Sequence, residues 1–557
     1  MELIDSRRLT GANAISDGPG AVIDVAVGES HIAALVEGWE KTAQQVLAAV
    51  GWERERTFVR QVAGGVSLAI SAPIDALYAA TEVNEWAFAA AASQPHDDLQ
   101  TAAQYLRAEI EKESNPSLLR LAAAAQEHGL VFLSDDDRAS VGLGSGSQTW
   151  DVDRLPTPDE VDWQRLHDIP VGLISGTNGK TTSARLAAAV MRAADRHVGY
   201  SSTDWLAIDE EVIDQGDYAG PEGARTVLRN TRIDCAILET ARGGLLRRGV
   251  GVPRAQAALL TRIARDHIGD FGSRNLDELL DAKWVITRPV GVDGRIVINA
   301  DDALLVARAA ESTVPVVYYS LDSENPVITR HIVDGGEAWV LHEGDLCHYH
   351  DNRLTHVVDA ASIPVTLGGA ARYNISNALG VAGLTHALGV DHDAIVSGLQ
   401  HFRPESNPGR GNLFEIDGVK VLVDFAHNPD AFRAIVDLAR NLRARRKLIA
   451  FGEAGDRTDA LICDLATTAW QLEPDRVITL EIGKYARGRA PGEIRDLLHS
   501  QFEQEGAHPG QLDHHQTEIG ALEDALTWAE PGDLVILLSL AEQDEILARC
   551  QQAANAD

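Results

Sequence analysis

Residues 175–182 read Ser-Gly-Thr-Asn-Gly-Lys-Thr-Thr, a set of side chains suited to holding a phosphorylated ligand. Gly176 and Gly179 permit a tight turn that aims backbone N–H groups at an anion, with Thr177 and Asn178 completing the loop. Lys180 can neutralise β- and γ-phosphate charge, and the hydroxyl of Thr181 or Thr182 can ligate Mg²⁺. The spacing GxxxxGK[ST] is not met in full, because Ile174 stands where its first glycine belongs. The loop is a shortened variant.

Three further places carry chemistry. Glu239 ends an apolar run and opens Glu-Thr-Ala-Arg-Gly-Gly-Leu-Leu-Arg-Arg-Gly249. An acidic residue at the C-terminal end of a strand can reach a metal in the crevice of an open α/β sheet. Taken alone, the basic loop around Arg242 has two readings, a binder of carboxylate or phosphate and a solvated turn. Asp266-His267 follows another apolar run, and Lys283 lies on a helical stretch. By itself, such a histidine is more often a satisfied surface or core residue, and such a lysine is by default a solvated one.

These residues need a scaffold, and the pattern from about residue 170 onward supplies one. Residues 170–175, 235–238, 257–260 and 295–298 are short β-branched or apolar runs that predict buried strands. Residues 181–194 predict a helix, with Leu186, Val190 and Ala194 repeating every four residues. A second α/β run, with strands expected at 419–423, 447–451, 476–480 and 533–538, follows the Pro/Gly-rich hinge at 401–409. The first ~165 residues hold Ala-rich helical stretches at 32–50 and 79–92 and no chemical motif. Residues 151–170 read as a connection.

With 557 residues, 45% of them hydrophobic and 24% charged, the chain is expected to form several domains, and three are assigned: 1–165, 166–405 and 406–557. There is no long apolar run of membrane-spanning length and no secretory leader pattern, so the chain is expected to be cytoplasmic. A net charge of −34 argues against nucleic acid or anionic membrane as partners. The four cysteines, Cys235, Cys347, Cys463 and Cys550, are widely spaced and read as small apolar residues of a reducing compartment.

In this order, these elements resemble the Mur ligase superfamily, and most of all the Mur-ligase-like half of cyanophycin synthetases. The likeness rests on the Glu239–Gly249 run, Asn299-Ala-Asp-Asp302, Asn407-Pro-Gly-Arg410, Asp424-Phe-Ala-His-Asn-Pro429 and Arg487-Gly-Arg-Ala-Pro-Gly-Glu493. It implies an α/β fold with a central P-loop domain, a Rossmann-like C-terminal domain and an α+β N-terminal domain. It also implies an ATP- and Mg²⁺-dependent ligase that activates a carboxylate as an acyl-phosphate for attack by an amine, on an amino-acid, dipeptide or peptide-polymer substrate. On this resemblance Lys180, Glu239, His267 and Lys283 are catalytic. Thr181, Glu239 and His267 hold metal, and Lys283 acts as a metal-supporting carbamate. Asn374, Arg410 and Asp424 contact nucleotide, whereas Arg242, His427, Asn428, Arg487 and Arg489 face substrate. A homo-oligomer is expected.

Two departures stand out. Asn115-Pro-Ser-Leu-Leu-Arg-Leu-Ala122 and Ser140-Val-Gly-Leu-Gly-Ser-Gly146 resemble the end of the N-terminal domain of cyanophycin synthetases, which continue into an ATP-grasp module. Here the chain passes within a few tens of residues to the phosphate loop, so that module is expected to be absent. Arg262 and Arg265 stand where the family tends to have asparagine and a non-basic residue, and arginine there can displace a metal or grip an anion. These departures support a second reading, a non-catalytic or partner-dependent nucleotide-binding paralogue that assembles with a cyanophycin synthetase or a separate ATP-grasp ligase.

Overall fold

The computed structural model describes residues 1–266 and 275–555. Its centre is an eleven-stranded sheet whose order is Glu211–Gln215, Trp205–Ile208, Val198–Ser201, Cys235–Glu239, Val171–Ser175, Ala255–Leu260, Val290–Asn299, Val316–Ser320, Ala338–His342, Asp345–His350 and Arg353–Asp359. The stretch from Val198–Ser201 to Ala338–His342 is parallel throughout, and antiparallel strands close both ends. Strands covered on both faces must be apolar at every position, not at alternate ones. That is why VGLIS and CAILE are buried from end to end. One face packs on Leu173, Leu238, Leu260 and Ile298, and the other on Ile174, Ile237, Leu259 and Val297.

Helix Lys180–Ala193 follows the first of these strands after a four-residue turn. Helix Arg372–Ala387 lies against the same sheet and is buried over most of its circumference, which suits its Ala-, Gly- and Leu-rich sequence.

The C-terminal sheet runs Arg410–Ile416, Val419–Asp424, Leu534–Leu538, Lys447–Gly452, Arg476–Leu480 and Leu512–His515, with only the first strand antiparallel. Every strand expected from sequence in this half is present. The hinge is anchored by Asn407, which is fully buried. Its Nδ2 donates to Thr182 Oγ1 (3.2 Å) and its Oδ1 accepts from Arg185 (3.2 Å).

The N-terminal region carries strands that the sequence did not reveal. Glu2–Leu9, Gly20–Ala26, Gly65–Ser71 and Thr57–Val62 form an antiparallel sheet beneath helices Glu29–Val50 and Leu77–Ala91. This sheet docks on the central domain. Thr10 N–H donates to the Arg248 carbonyl (2.8 Å), Val250 N–H to the Ala12 carbonyl (2.7 Å), and Arg7 Nε to the Leu246 carbonyl (3.1 Å).

Candidate active site

The phosphate loop leaves the end of strand Val171–Ser175 and enters helix Lys180–Ala193. Gly176 has φ of 150° and Gly179 of 85°, in a region L side chains avoid. Space forbids a side chain as well. A Cβ on Gly176 would lie 1.9 Å from Thr261 Oγ1, and one on Gly179 2.3 Å from Asn377 Oδ1. The loop is tied down by Thr177 N–H donating to the Arg262 carbonyl (2.6 Å) and by Thr261 Oγ1 donating to the Asn178 carbonyl (2.6 Å). Its remaining amides and the start of a fourteen-residue helix face a cleft of about 1780 Å³. Small-molecule pockets usually run to about 300–1,000 Å³, so a nucleotide and a second substrate fit together.

Lys180 lines this cleft, half-buried, and donates to the Thr177 carbonyl (3.0 Å). Glu239 is buried at its strand end, where its carboxylate accepts from Thr203 Oγ1 (2.7 Å) and Thr203 N–H (3.2 Å). Lys283 projects from helix Leu276–Trp284 into the interior, 5% exposed, and donates to the Gly176 carbonyl (2.7 Å). Burial, reinforced by the Lys180 charge, holds its amine well below the ordinary lysine range, against the pull of Asp266 and Glu239. Lys283 is therefore no solvated surface lysine. A buried carboxylate and a hydroxyl at the phosphate loop are oxygen donors of the kind a divalent cation with a polyphosphate takes. His267 lies outside the described residues.

Across the cleft, the loop after strand Val419–Asp424 delivers Asp424, His427 and Asn428, as its position beyond a parallel strand leads one to expect. Asn428 caps helix Pro429–Asn441 through Ala431 N–H (3.0 Å) and exchanges amide hydrogen bonds with Asn178 of the phosphate loop (2.9 and 3.1 Å). Burial raises the pKa of the Asp424 carboxyl to about 6, despite nearby Arg410. Arg410 stacks on Phe425 and pairs with Asp204 at 3.4 Å. Burial alone would lower the pKa of His427. The Asp266 carboxylate, 3.8 Å from its Nε2, outweighs burial and raises it.

Other expectations are redistributed. Asn374 is buried within its helix, donating to the Val365 carbonyl (2.8 Å) and accepting from Asn377 (3.1 Å), and it is Asn377, one turn on, that lines the cleft. Arg489 also misses the cleft lining. Its guanidinium ties the Gly455 and Arg457 carbonyls to Asp459 and Glu493, bracing a loop. Arg487 does line the cleft and pairs with Asp456. The loop around Arg242 is not a solvated turn. Arg242 is buried and lines the cleft, and Arg248 donates to the Arg8 carbonyl of the N-terminal sheet (3.1 Å). Arg262 reaches over to Asp430 of the C-terminal domain (3.0 Å), so its charge is spent on a domain contact.

Sequence reasoning missed three contributors. Asp266 has no signal in the sequence beyond its place beside His267. Glu453, at the end of strand Lys447–Gly452, is 1% exposed, lines the cleft, and is raised by burial to about 7. Asp5, Arg7, Asp24 and Arg60 of the N-terminal sheet close one end of the cleft. A lone acidic residue after an apolar run was the only signal for Glu453, and the N-terminal wall left none.

A model of the Mur ligase middle domain matches residues 174–385, and one of the Mur ligase glutamate ligase domain matches residues 409–539. Cyanophycin synthetase from Synechocystis sp. is 37% identical over 374 residues, which is 66% of this chain and 42% of that protein. UDP-N-acetylmuramoyl-L-alanyl-D-glutamate–2,6-diaminopimelate ligase from Gloeobacter violaceus is 27% identical, over 67% of this chain and 72% of its own length. Among solved structures, E. coli FolC in complex with DHPP and ADP superposes with a TM-score of 0.50 at 16% identity, covering 69% of this chain and 89% of that one. The chain thus spans less than half the length of the cyanophycin synthetase it matches. Through its middle and C-terminal domains, the chain belongs to the Mur ligase superfamily.

Proposed function

We propose that this chain is an ATP-dependent, ADP-forming ligase that joins a carboxylate to the amine of an amino acid or peptide, in chemistry related to cyanophycin. The observation that carries the reading is the buried Lys283 amine bonded to the Gly176 carbonyl of the phosphate loop, in a cleft whose opposite wall holds the C-terminal residues Asp424 and His427. The working boundaries are 1–165 for the N-terminal domain, 166–405 for the nucleotide domain and 406–557 for the closing domain.

Bound Mg²⁺ and ATP would supply the phosphoryl group that turns the substrate carboxylate into an acyl-phosphate. Lys180 and the loop amides offset charge on the transferring group, which is most of what phosphoryl transfer asks of a protein. Thr181, Glu239 and His267 would hold the metal, and Lys283, whose neutral amine can take up CO₂ with loss of a proton, would support it as a carbamate. Arg242 and Arg487 offer cations for a substrate carboxylate. Glu453 and Asp424 give the opposite wall an acidic character that favours a basic amine. Asp266, 3.8 Å from His427 Nε2, favours the protonated imidazole and orients it at the mouth between the domains.

The test is phosphate release with Mg²⁺ and ATP across amino acids, dipeptides and peptide polymers, alone and with a cyanophycin synthetase or an ATP-grasp ligase added. Turnover by the isolated chain with a defined pair supports the proposal. Turnover only with the added partner would favour the paralogue reading, and none under any condition would defeat the ligase assignment.

A further inference from the structure

On the far edge of the central sheet, remote in the strand order from the phosphate loop, four histidines converge on one carboxylate. Hairpin Ala338–His342 and Asp345–His350 sets Trp339 opposite His348, and their rings stack at 4.4 Å. His348 and His350 are two apart on one strand and so share a face. Glu337 immediately precedes the hairpin. His386, in the last turn of helix Arg372–Ala387, and His392, at the start of helix His392–His401, close over the same face.

The hydrogen bonds determine where the lone pairs point. The Val390 carbonyl can only accept, so His386 Nδ1 donates to it (3.1 Å) and a neutral ring keeps its lone pair on Nε2. That lone pair faces Glu337 Oε1 at 3.9 Å, two acceptors with a gap between them. The same oxygen lies 3.0 Å from His348 Nε2, and His348 Nδ1 is held by His392 Nε2 at 2.9 Å. The ligand atoms of Glu337, His348 and His350 all lie within 4.8 Å of one another. Zinc–nitrogen bonds of about 2.0–2.1 Å in a tetrahedron put ligand atoms about 3.4 Å apart, between the two separations seen here.

We propose that Glu337, His348 and His350 form a binding site for a divalent transition metal of the zinc class, with His386 Nε2 on the Glu337 side to complete the set and His392 orienting His348 from behind. Imidazoles with one carboxylate suit such a cation better than Mg²⁺ or Ca²⁺, which prefer all-oxygen sets. The backbone bond to His386 and the His392 bond to His348 are the outer contacts that fix ring orientation in metal sites. His348 is 4% exposed at its side chain and His350 57%, so the site has a rigid floor and an open entrance. A metal held by Glu337, His348 and His350, with His386 closing on it, would staple the hairpin to the helix whose other end carries Tyr373 and Asn377 to the cleft.

The test uses the full chain stripped with a chelator and titrated calorimetrically with Zn²⁺, with Co²⁺ absorption reporting ligand geometry. One equivalent of Zn²⁺ should bind and raise the unfolding temperature. His350→Asn, His386→Asn and Glu337→Gln should each weaken binding about tenfold or more. His356→Asn is the control, because His356 pairs with Asp345 and touches Cys347 on the other face of the hairpin. Because His350 is exposed, its variant keeps the fold, and circular dichroism checks the others. No stoichiometric binding, or binding unchanged in both His350→Asn and His386→Asn, would overturn the site.

Discussion

The two walls of the cleft are built alike and work differently. Both place their loops beyond the C-terminal ends of parallel strands, yet the central wall relies on backbone amides, two glycines at positive φ and basic side chains. The C-terminal wall presents buried carboxyls, Asp424 and Glu453, whose pKa values are lifted to about 6 and about 7. The loop amides do not titrate, whereas the carboxyls change charge within the physiological pH range. The comparison sets a phosphate loop of backbone amides, with the buried Lys283 amine behind it, against a wall of carboxyls that responds to pH.

The sharpest break of this comparison is Lys180→Ala. It removes a point charge facing phosphate and no core packing, so ADP formation should fall by several orders of magnitude while the unfolding temperature holds. Near-normal turnover would remove the central wall from catalysis. Lys283→Ala should come next, with a loss of about 10–100-fold if the lysine supports a metal. Small added carboxylates should restore part of it, and an absence of rescue would leave Lys283 a packing residue.

Glu453→Gln probes the other wall. Its carboxyl has a folded pKa of about 7 against an ordinary 4.5, so between these values the folded state binds more protons than the unfolded. Stability therefore declines as pH rises through that window. The variant should lose less stability than the wild type between about pH 5 and about pH 8, measured by thermal unfolding. Parallel curves would mean Glu453 titrates normally. The smallest effect is expected from Arg262→Ala. Its pair with Asp430 is half-exposed, so its loss should cost no more than about 1 kcal/mol and matter less at high salt. A tenfold or larger loss of turnover would give Arg262 a role at the phosphates.

Sequence alone determined the parts whose signals are local. A parallel strand buried on both faces must be an apolar run, so Val171–Ser175, Cys235–Glu239 and Leu534–Leu538 were legible. The glycines and lysine of the phosphate loop were legible too, because one turn of backbone contains the whole device. The strand Glu2–Leu9 was not, since ELIDSRRL is largely exposed and lacks the apolar pattern. Only tertiary structure brought Asn178 to Asn428, Asp266 to His427, and Glu337 and His348 to His386. It also sent Arg262 to Asp430 and turned Asn374 away from the cleft. Each of these follows from how distant segments pack, and no local period in the chain encodes which side chains will meet when sheets and helices close on one another.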